Sequence, residues 1–193
     1  MPRSDPSADK ILDCALHLAD RCGWERLHLH EVAAELDSDL AAIARHYQQK
    51  DDLVEAWFDR ADQALLTRAK AADLPGLSAE KRLEELLIAW LASLATHRAV
   101  TGQMLLYKLE PGHLHLQLGG LLRISRTVQW WREAALRQNL HLSRIAEESL
   151  LTAVYLRTFV HWLRHPAEGE AEVRALLRRQ LRRPALRWLL RQP

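Results

Sequence analysis

Apolar residues recur at helical spacing from the first dozen positions onward. Ile11, Ala15 and Leu18, flanked by Leu12, Leu16 and Ala19, make one face of a helix. Ser7 stands where a cap belongs. Cys22-Gly23 ends the run, because glycine accepts the left-handed conformation of a helix C-terminus. Leu29, Val32, Ala33 and Leu36 predict a short second helix. His28 occupies its cap position and Glu31 follows three residues later, which is capping-box spacing with an unusual cap residue. Asp37-Ser38-Asp39 is a turn able to cap a third helix over residues 40–47. Asp51 begins a longer helix through Leu53, Trp57, Ala61 and Leu65, which ends before Leu74-Pro75-Gly76.

The second half continues in the same period. Ser78 caps a helix carrying Leu83, Leu87, Trp90, Leu91 and Leu94. A shorter one covers about residues 100–109 and stops at Pro111-Gly112. Residues 114–138 read as one long helix, disturbed at Gly119-Gly120. Ser143 caps an apolar helix through Ile145, Leu150, Val154, Phe159 and Leu163, ended by His165-Pro166. A last helix spans about residues 168–183, followed by Pro184 and a basic coda. There is no internal repeat. Leucine, alanine, arginine and glutamate dominate, while glycine and proline number 7 each. These are helix formers without breakers, so the class is all-α.

Composition adds exclusions. At 193 residues the chain supports one sizeable core, or a core with a small appended module. With 48% hydrophobic and 27% charged residues it is globular. The polar start, with Asp5 and Asp9 ahead of any apolar run, does not read as a secretion signal. No apolar stretch reaches the roughly 20 residues that cross a bilayer. A cytoplasmic location is expected. Cys14 and Cys22 form no metal or redox pattern and read as reduced structural thiols.

The net charge of +2 conceals an asymmetry. Residues 1–60 hold 7 basic and 13 acidic residues, against 20 and 12 in the remainder. From Val173 onward there are seven arginines and no acid.

The first 60 residues resemble the N-terminal domain of the TetR family of transcriptional regulators. The family pattern is an Ile-Leu-x-x-Ala-Leu helix, a glycine, a threonine-capped Ile-Ala helix, a Gly-Val-Ser turn, and then Leu-Tyr-x-His-Phe-x-x-Lys-x-x-Leu. This chain has Ile11-Leu12-Asp13-Cys14-Ala15-Leu16, then Gly23, then Val32-Ala33. Ile43-Ala44-Arg45-His46-Tyr47-Gln48-Gln49-Lys50-Asp51-Asp52-Leu53 follows. The resemblance implies a helix-turn-helix unit over residues 1–50 and a larger helical ligand-binding and dimerisation domain over residues 51–193. Four of the chain's departures from the family remove something physical. His28 replaces the threonine cap, Asp37 the turn glycine, Ser38 the turn valine, and Ala44 the tyrosine that in the family usually contacts the DNA backbone.

From the resemblance, His28, Ala41, Ala42, Arg45, His46, Tyr47 and Lys50 are the candidate DNA-binding set. Two features oppose it. Ala44 has no hydroxyl to offer a phosphate, and Asp37 and Asp39 stand at the mouth of the recognition helix, where negative charge repels a polyanion. The competing view is a three-helix packing unit that keeps the fold without touching DNA.

Trp57, Trp90, Met104, Tyr107, Trp130 and Trp131 lie on helices that line the ligand pocket in the resembling family. Aromatic walls suit a flat or long apolar ligand, and ordinary core filling is the alternative. Adjacent helical positions point about 100° apart, so Trp130 and Trp131 cannot both face one core.

Ten histidines raise the question of metal. His28 and His30, like His113 and His115, are two apart and point to different sides of a helix. His161 and His165 are four apart and could share an ion, but spacing fixes no third ligand, and no metal or other cofactor is expected. No nucleophile elbow, phosphate loop or paired carboxylate suggests an enzyme.

The resulting expectation is a ligand-responsive regulator that binds operator double-stranded DNA as a homodimer. The alternative is a protein of the same fold that has left DNA for lipid or isoprenoid binding. The TetR-fold lipid-binding proteins of ubiquinone biosynthesis are of this kind. The chain is similar to them in Gly23-Trp24, in Asp52-Leu53-Val54, in the degenerate turn and in its amphipathic end. There, leucines and Trp188 interleave with arginines in a segment able to meet an anionic membrane surface. A last bundle helix with a solvated arginine face is the simpler account of that tail.

Overall fold

The computed structural model describes residues 5–108 and 114–191, the side chains of residues 114–117 excepted. Helices are the only regular elements among them, with no strand. The α-helices are α1 (Ala8–Cys22), α2 (Leu29–Glu35), α3 (Leu40–Ala44), α4 (Lys50–Ala69), α5 (Ala79–Leu94), α6 (Arg98–Lys108), α7 (Leu114–Ala134), α8 (His141–Arg164), α9 (Glu170–Leu181) and α10 (Pro184–Leu190). Short 3-10 turns occupy Leu74–Gly76 and Ala95–His97. None of these helices is long and apolar enough to cross a membrane. The expected stop at Pro111-Gly112 and the His113 position lie outside the described residues.

The chain forms two compact units. The first comprises Met1–Arg60 and Thr96–Gly120. Ser7 caps α1 by accepting the Lys10 amide at 3.4 Å, and Gly23 ends it at φ 88°. Ile11, Leu12, Ala15 and Leu16 then point inward, and Val32 and Ile43 are enclosed in the same unit. The unit includes α6 because the turn after Gly23 is tied to it. The Trp24 amide donates to Gln103 Oε1 at 2.6 Å, and the buried Trp57 indole N–H donates to Thr101 Oγ1 at 2.9 Å. Lys108, at the end of α6, reaches Asp51 and Glu55 on α4 at 2.7 and 2.8 Å. The division thus falls inside α4, after Arg60, whereas the sequence motif ends near residue 50.

The second unit is Ala61–Ala95 and Leu121–Pro193. Leu87, Trp90, Trp131, Leu151 and Leu177 are enclosed in its core. A buried polar cluster surrounds Asp62, which accepts from the Trp90 indole at 2.9 Å, from Arg123 at 2.6 Å and from Thr127 at 3.0 Å. A buried carboxylate needs such partners to stay charged.

Four expectations are corrected. The third helix is shorter than residues 40–47: it ends at Ala44, where the His46 amide reaches only three residues back, to the Ile43 carbonyl at 3.0 Å, and tightens the last turn. Helix α7 runs unbroken through Gly119-Gly120 and stops at Ala134, where Leu136 adopts φ 58° and the Arg137 amide reaches the Arg132 carbonyl at 3.3 Å. A leucine there holds the left-handed place that glycine usually takes. Ser143 is not the cap of α8. Leu140 is, and the Ser143 hydroxyl donates back to the Leu140 carbonyl at 2.6 Å. The coda after the last expected helix is itself helical, with Pro184 opening α10 in the first turn, where its missing N–H costs nothing.

The arginine tail is also not a simple solvated face. Arg174 binds Glu84 and Glu85 of α5 at 2.9 and 2.5 Å, Arg178 binds Glu84 at 2.8 Å, and Arg182 binds Glu80 at 2.6 Å. Part of the basic excess is therefore neutralised by acids roughly 90 to 100 positions earlier in the chain.

Candidate nucleic-acid interface

The turn between α2 and α3 is built despite its missing glycine. Asp37 sits at φ 49°, a left-handed conformation that L-residues adopt at a cost and that aspartate tolerates better than most. The Ser38 amide closes the turn on the Ala33 carbonyl at 2.9 Å. Asp39 Oδ1 then caps α3 by accepting the Ala42 amide at 2.9 Å. At the start of α2 the His28 amide donates to the Glu31 carboxylate at 2.9 Å, so the capping box forms around the unusual residue. The exposed rings of His28 and His30 stack at 5.3 Å rather than pointing to different sides, because His28 is the extended cap residue and not yet helical.

With α3 held at both ends, its residues separate cleanly. Ala42, at 3% exposure, and Ile43 point inward, while Ala41, Ala44, Arg45 and His46 are exposed. Ala42 is thus placed in the core, contrary to its assignment to the outer face. Five helical residues leave one inward edge, and positions 42 and 43 take it. Tyr47 is buried too, its hydroxyl donating to the Ala8 carbonyl at 3.1 Å. Lys50 is half-buried. Its ammonium donates to the Glu25 carbonyl at 3.0 Å and lies 5.1 Å from the centre of the Trp24 ring. Burial pushes its pKa below the ordinary lysine range, against the raising influence of neighbouring acids such as Glu25. Both residues belong to the packing of the first unit. Arg45 remains outward at 56% exposure, paired with Asp5 at 2.5 Å, and that hydrogen bond holds its guanidinium above the ordinary value. Asp5 had no sequence signal, since its pairing crosses 40 positions.

The surface of this unit is small-residue and mixed in charge. Ala41 and Ala44 permit close approach of a partner's backbone, with Arg45 and His46 at one end and Asp37 and Asp39 at the other. The Cys14 thiol is raised by burial and faces the Val32 carbonyl at 4.0 Å, consistent with a structural role.

The six residues assigned to ligand binding divide between the units. In the first, Trp57 and Met104 are enclosed, and Tyr107 is partly exposed, its ring centre 5.9 Å from Lys50 Nζ. In the second, Trp90 and Trp131 are fully enclosed. Trp131 donates its indole N–H to the Leu83 carbonyl at 2.8 Å. Trp130, one position earlier, is 45% exposed, as the helical angle requires. Tyr107 and Trp130 are the two aromatics of the set that keep accessible surface.

No protein-family model and no curated protein matches the chain. Solved structures do. The TetR transcriptional regulator from Nitrosomonas europaea is 42% identical, over 90% of this chain and 95% of that one, with a TM-score of 0.81. A TetR transcriptional regulator from Rhodococcus sp. RHA1 is 18% identical over 95% of each chain, with a TM-score of 0.66. A bacterial regulatory protein of the tetR family from Rhodococcus RHA1 is 21% identical, over 90% of this chain and 95% of that one, with a TM-score of 0.51. These last two share the fold.

Proposed function

Since the chain belongs to the TetR family of transcriptional regulators, we propose that it binds operator DNA as a homodimer and responds to an apolar or aromatic ligand. The observation that carries this reading is the outer face of α3, where Ala41, Ala44, Arg45 and His46 are exposed on a helix capped at its start by Asp39. In a helix-turn-helix the second helix enters the major groove, and a dimer places two of them about 34 Å apart. Arg45 supplies a phosphate or base-edge contact, His46 a second donor, and His28 a flanking one. Lys50, Tyr47 and Ala42 support the unit from within.

The dimer is assigned to α8 and α9, because α8 leaves Leu142 and Ile145 at 81% and 63% exposure. An apolar face of this kind is covered by a second copy in a two-fold pair. Ligand would be met at Trp130 or Tyr107, and would shift the population between two dimer states. The direct test is fluorescence anisotropy with DNA from upstream of the chain's own coding region, over a salt series. Tight binding with a steep salt slope supports the reading. Weak binding with no preference over unrelated duplex overturns it.

A second reading has its own observation. Arg45 is paired with Asp5, and Lys50 is turned inward, in a region where acids outnumber bases. A TetR-fold lipid- or isoprenoid-binding protein that no longer binds DNA fits those facts. Its membrane contact would be α10, where Trp188 is 63% exposed between Arg187 and Arg191. Leu186 and Leu189 are enclosed, which leaves α10 little apolar surface to insert.

A further inference from the structure

The turn between α8 and α9 gathers three metal-ligating side chains that the regulator reading does not use. His161 lies on the last full turn of α8, His165 caps that helix, and Glu168 precedes α9. One ligand atom from each falls within 4.8 Å of the others. His161 Nε2 stands 2.7 Å from Glu168 Oε2, and the two imidazoles stack with centres 4.1 Å apart. The turn itself is closed by the Glu168 amide on the His165 carbonyl, at 3.1 Å, which brings the carboxylate back over α8.

We propose that His161, His165 and Glu168 form a surface site for a borderline divalent transition ion, of which Zn²⁺ is the representative. The donor set is two imidazoles and one carboxylate, which suits zinc, cobalt and nickel better than hard cations. His165 carries the arrangement that fixes such a ligand. Its Nδ1 lies 2.9 Å from the His161 carbonyl, so the proton resides on Nδ1 and the lone pair on Nε2. Three protein ligands leave the fourth position to water. In a tetrahedral site with bonds of about 2.0–2.1 Å, ligand atoms stand about 3.3 Å apart. The 2.7 Å contact between His161 and Glu168 therefore opens slightly as the ion takes the place of the proton between them, and the wider separation closes. All three side chains are at least partly exposed, so an ion enters without unfolding either helix. The bound ion fastens the end of α8 to the start of α9.

Titration of the full chain with Zn²⁺ in a non-chelating buffer, read by competition with a chromophoric chelator, tests this. One ion per chain is expected. H165A, H161A and E168Q should each weaken binding by at least about tenfold, and H28A should not. Zn²⁺ should also raise the melting temperature of the parent and leave that of H165A unchanged. Co²⁺ in place of zinc should give visible bands of a four-coordinate ion that disappear in E168Q. No saturable uptake, or equal affinity in parent, H165A and E168Q, overturns the proposal. So does binding that is lost only when Cys14 and Cys22 are replaced.

Discussion

The Lys50 ammonium donates to the carbonyl oxygen of Glu25 at 3.0 Å, across 25 positions of the chain. In sequence this lysine falls at the place of a DNA-facing residue in the family pattern. In the structure it joins the start of α4 to the loop after α1, above the ring of Trp24. Lys50→Ala should therefore lower stability by about 1–2 kcal/mol, from one charged hydrogen bond and a cation–π contact. It should leave the salt slope of DNA binding as it is. A melting curve and a salt series on the same variant separate the two effects. A slope reduced by about one unit would return Lys50 to the duplex.

Arg45 gives the complementary expectation. Its guanidinium is exposed, and Asp5 neutralises it in the free protein. If α3 meets DNA, Arg45→Ala should weaken binding and reduce the log–log salt slope by about one. Asp5→Asn should do the opposite, because it releases the charge that a phosphate otherwise has to win from a carboxylate. Anisotropy titrations of both variants against one duplex make the comparison, and an unchanged affinity in both would remove Arg45 from the interface.

Glu84 sets an acid limit on the second unit. Burial alone would raise its pKa. Hydrogen bonds from Arg178, Lys81 and Arg174 overcome that and hold it at about 2, against an ordinary value of 4.5. A carboxylate depressed in the folded state stabilises fully above 4.5 and loses that contribution as pH falls through about 2. Thermal melts from pH 6 downward should show stability declining below about 4.5. Glu84→Gln should flatten its share of that decline. Glu84→Ala should lower the melting temperature further than Glu84→Gln does, though Lys81 and Arg174 keep Glu85 as a partner and Arg178 turns to solvent.

The dimer proposal rests on a face that a single charge disrupts. Ile145→Asp places a carboxylate on an exposed position of α8, where the isolated chain tolerates it. Sedimentation velocity at micromolar concentration should show the parent as a dimer and the variant as a monomer, with little loss of helical signal. A parent that sediments as a monomer would end the proposal.

Local chemistry made the first unit readable. Ser7, Gly23 and Asp39 act at the helix ends where their residue types suggest, and Asp37 takes the left-handed turn in place of glycine. Each of these depends on neighbours a few positions away. The side of α3 that Ala42 occupies was not readable, because a helix of five residues has too little periodicity to declare a face. Nor was the use of Arg174 and Arg178, whose acceptor on α5 is set by tertiary packing. The histidine pair was visible as a spacing, and its third ligand was not. Glu168 reaches His161 only through the turn after Pro166.

Arg137 carries one more consequence. Its guanidinium is buried, bound to Glu147 at 3.1 Å and to the last carbonyls of α10, Leu189 at 2.9 Å and Leu190 at 3.4 Å. Asn139 reinforces it by donating to Glu147. The seven arginines after Val173 offer a trypsin-like protease many cleavable bonds on paper. Cleavage, however, follows the population of locally opened chain, and this clasp keeps α10 shut. Proline at position 184 further protects the bond after Arg183. Limited digestion should accordingly leave the basic end attached long after looser segments are cut, and Arg137→Ala should turn that end into the first piece released.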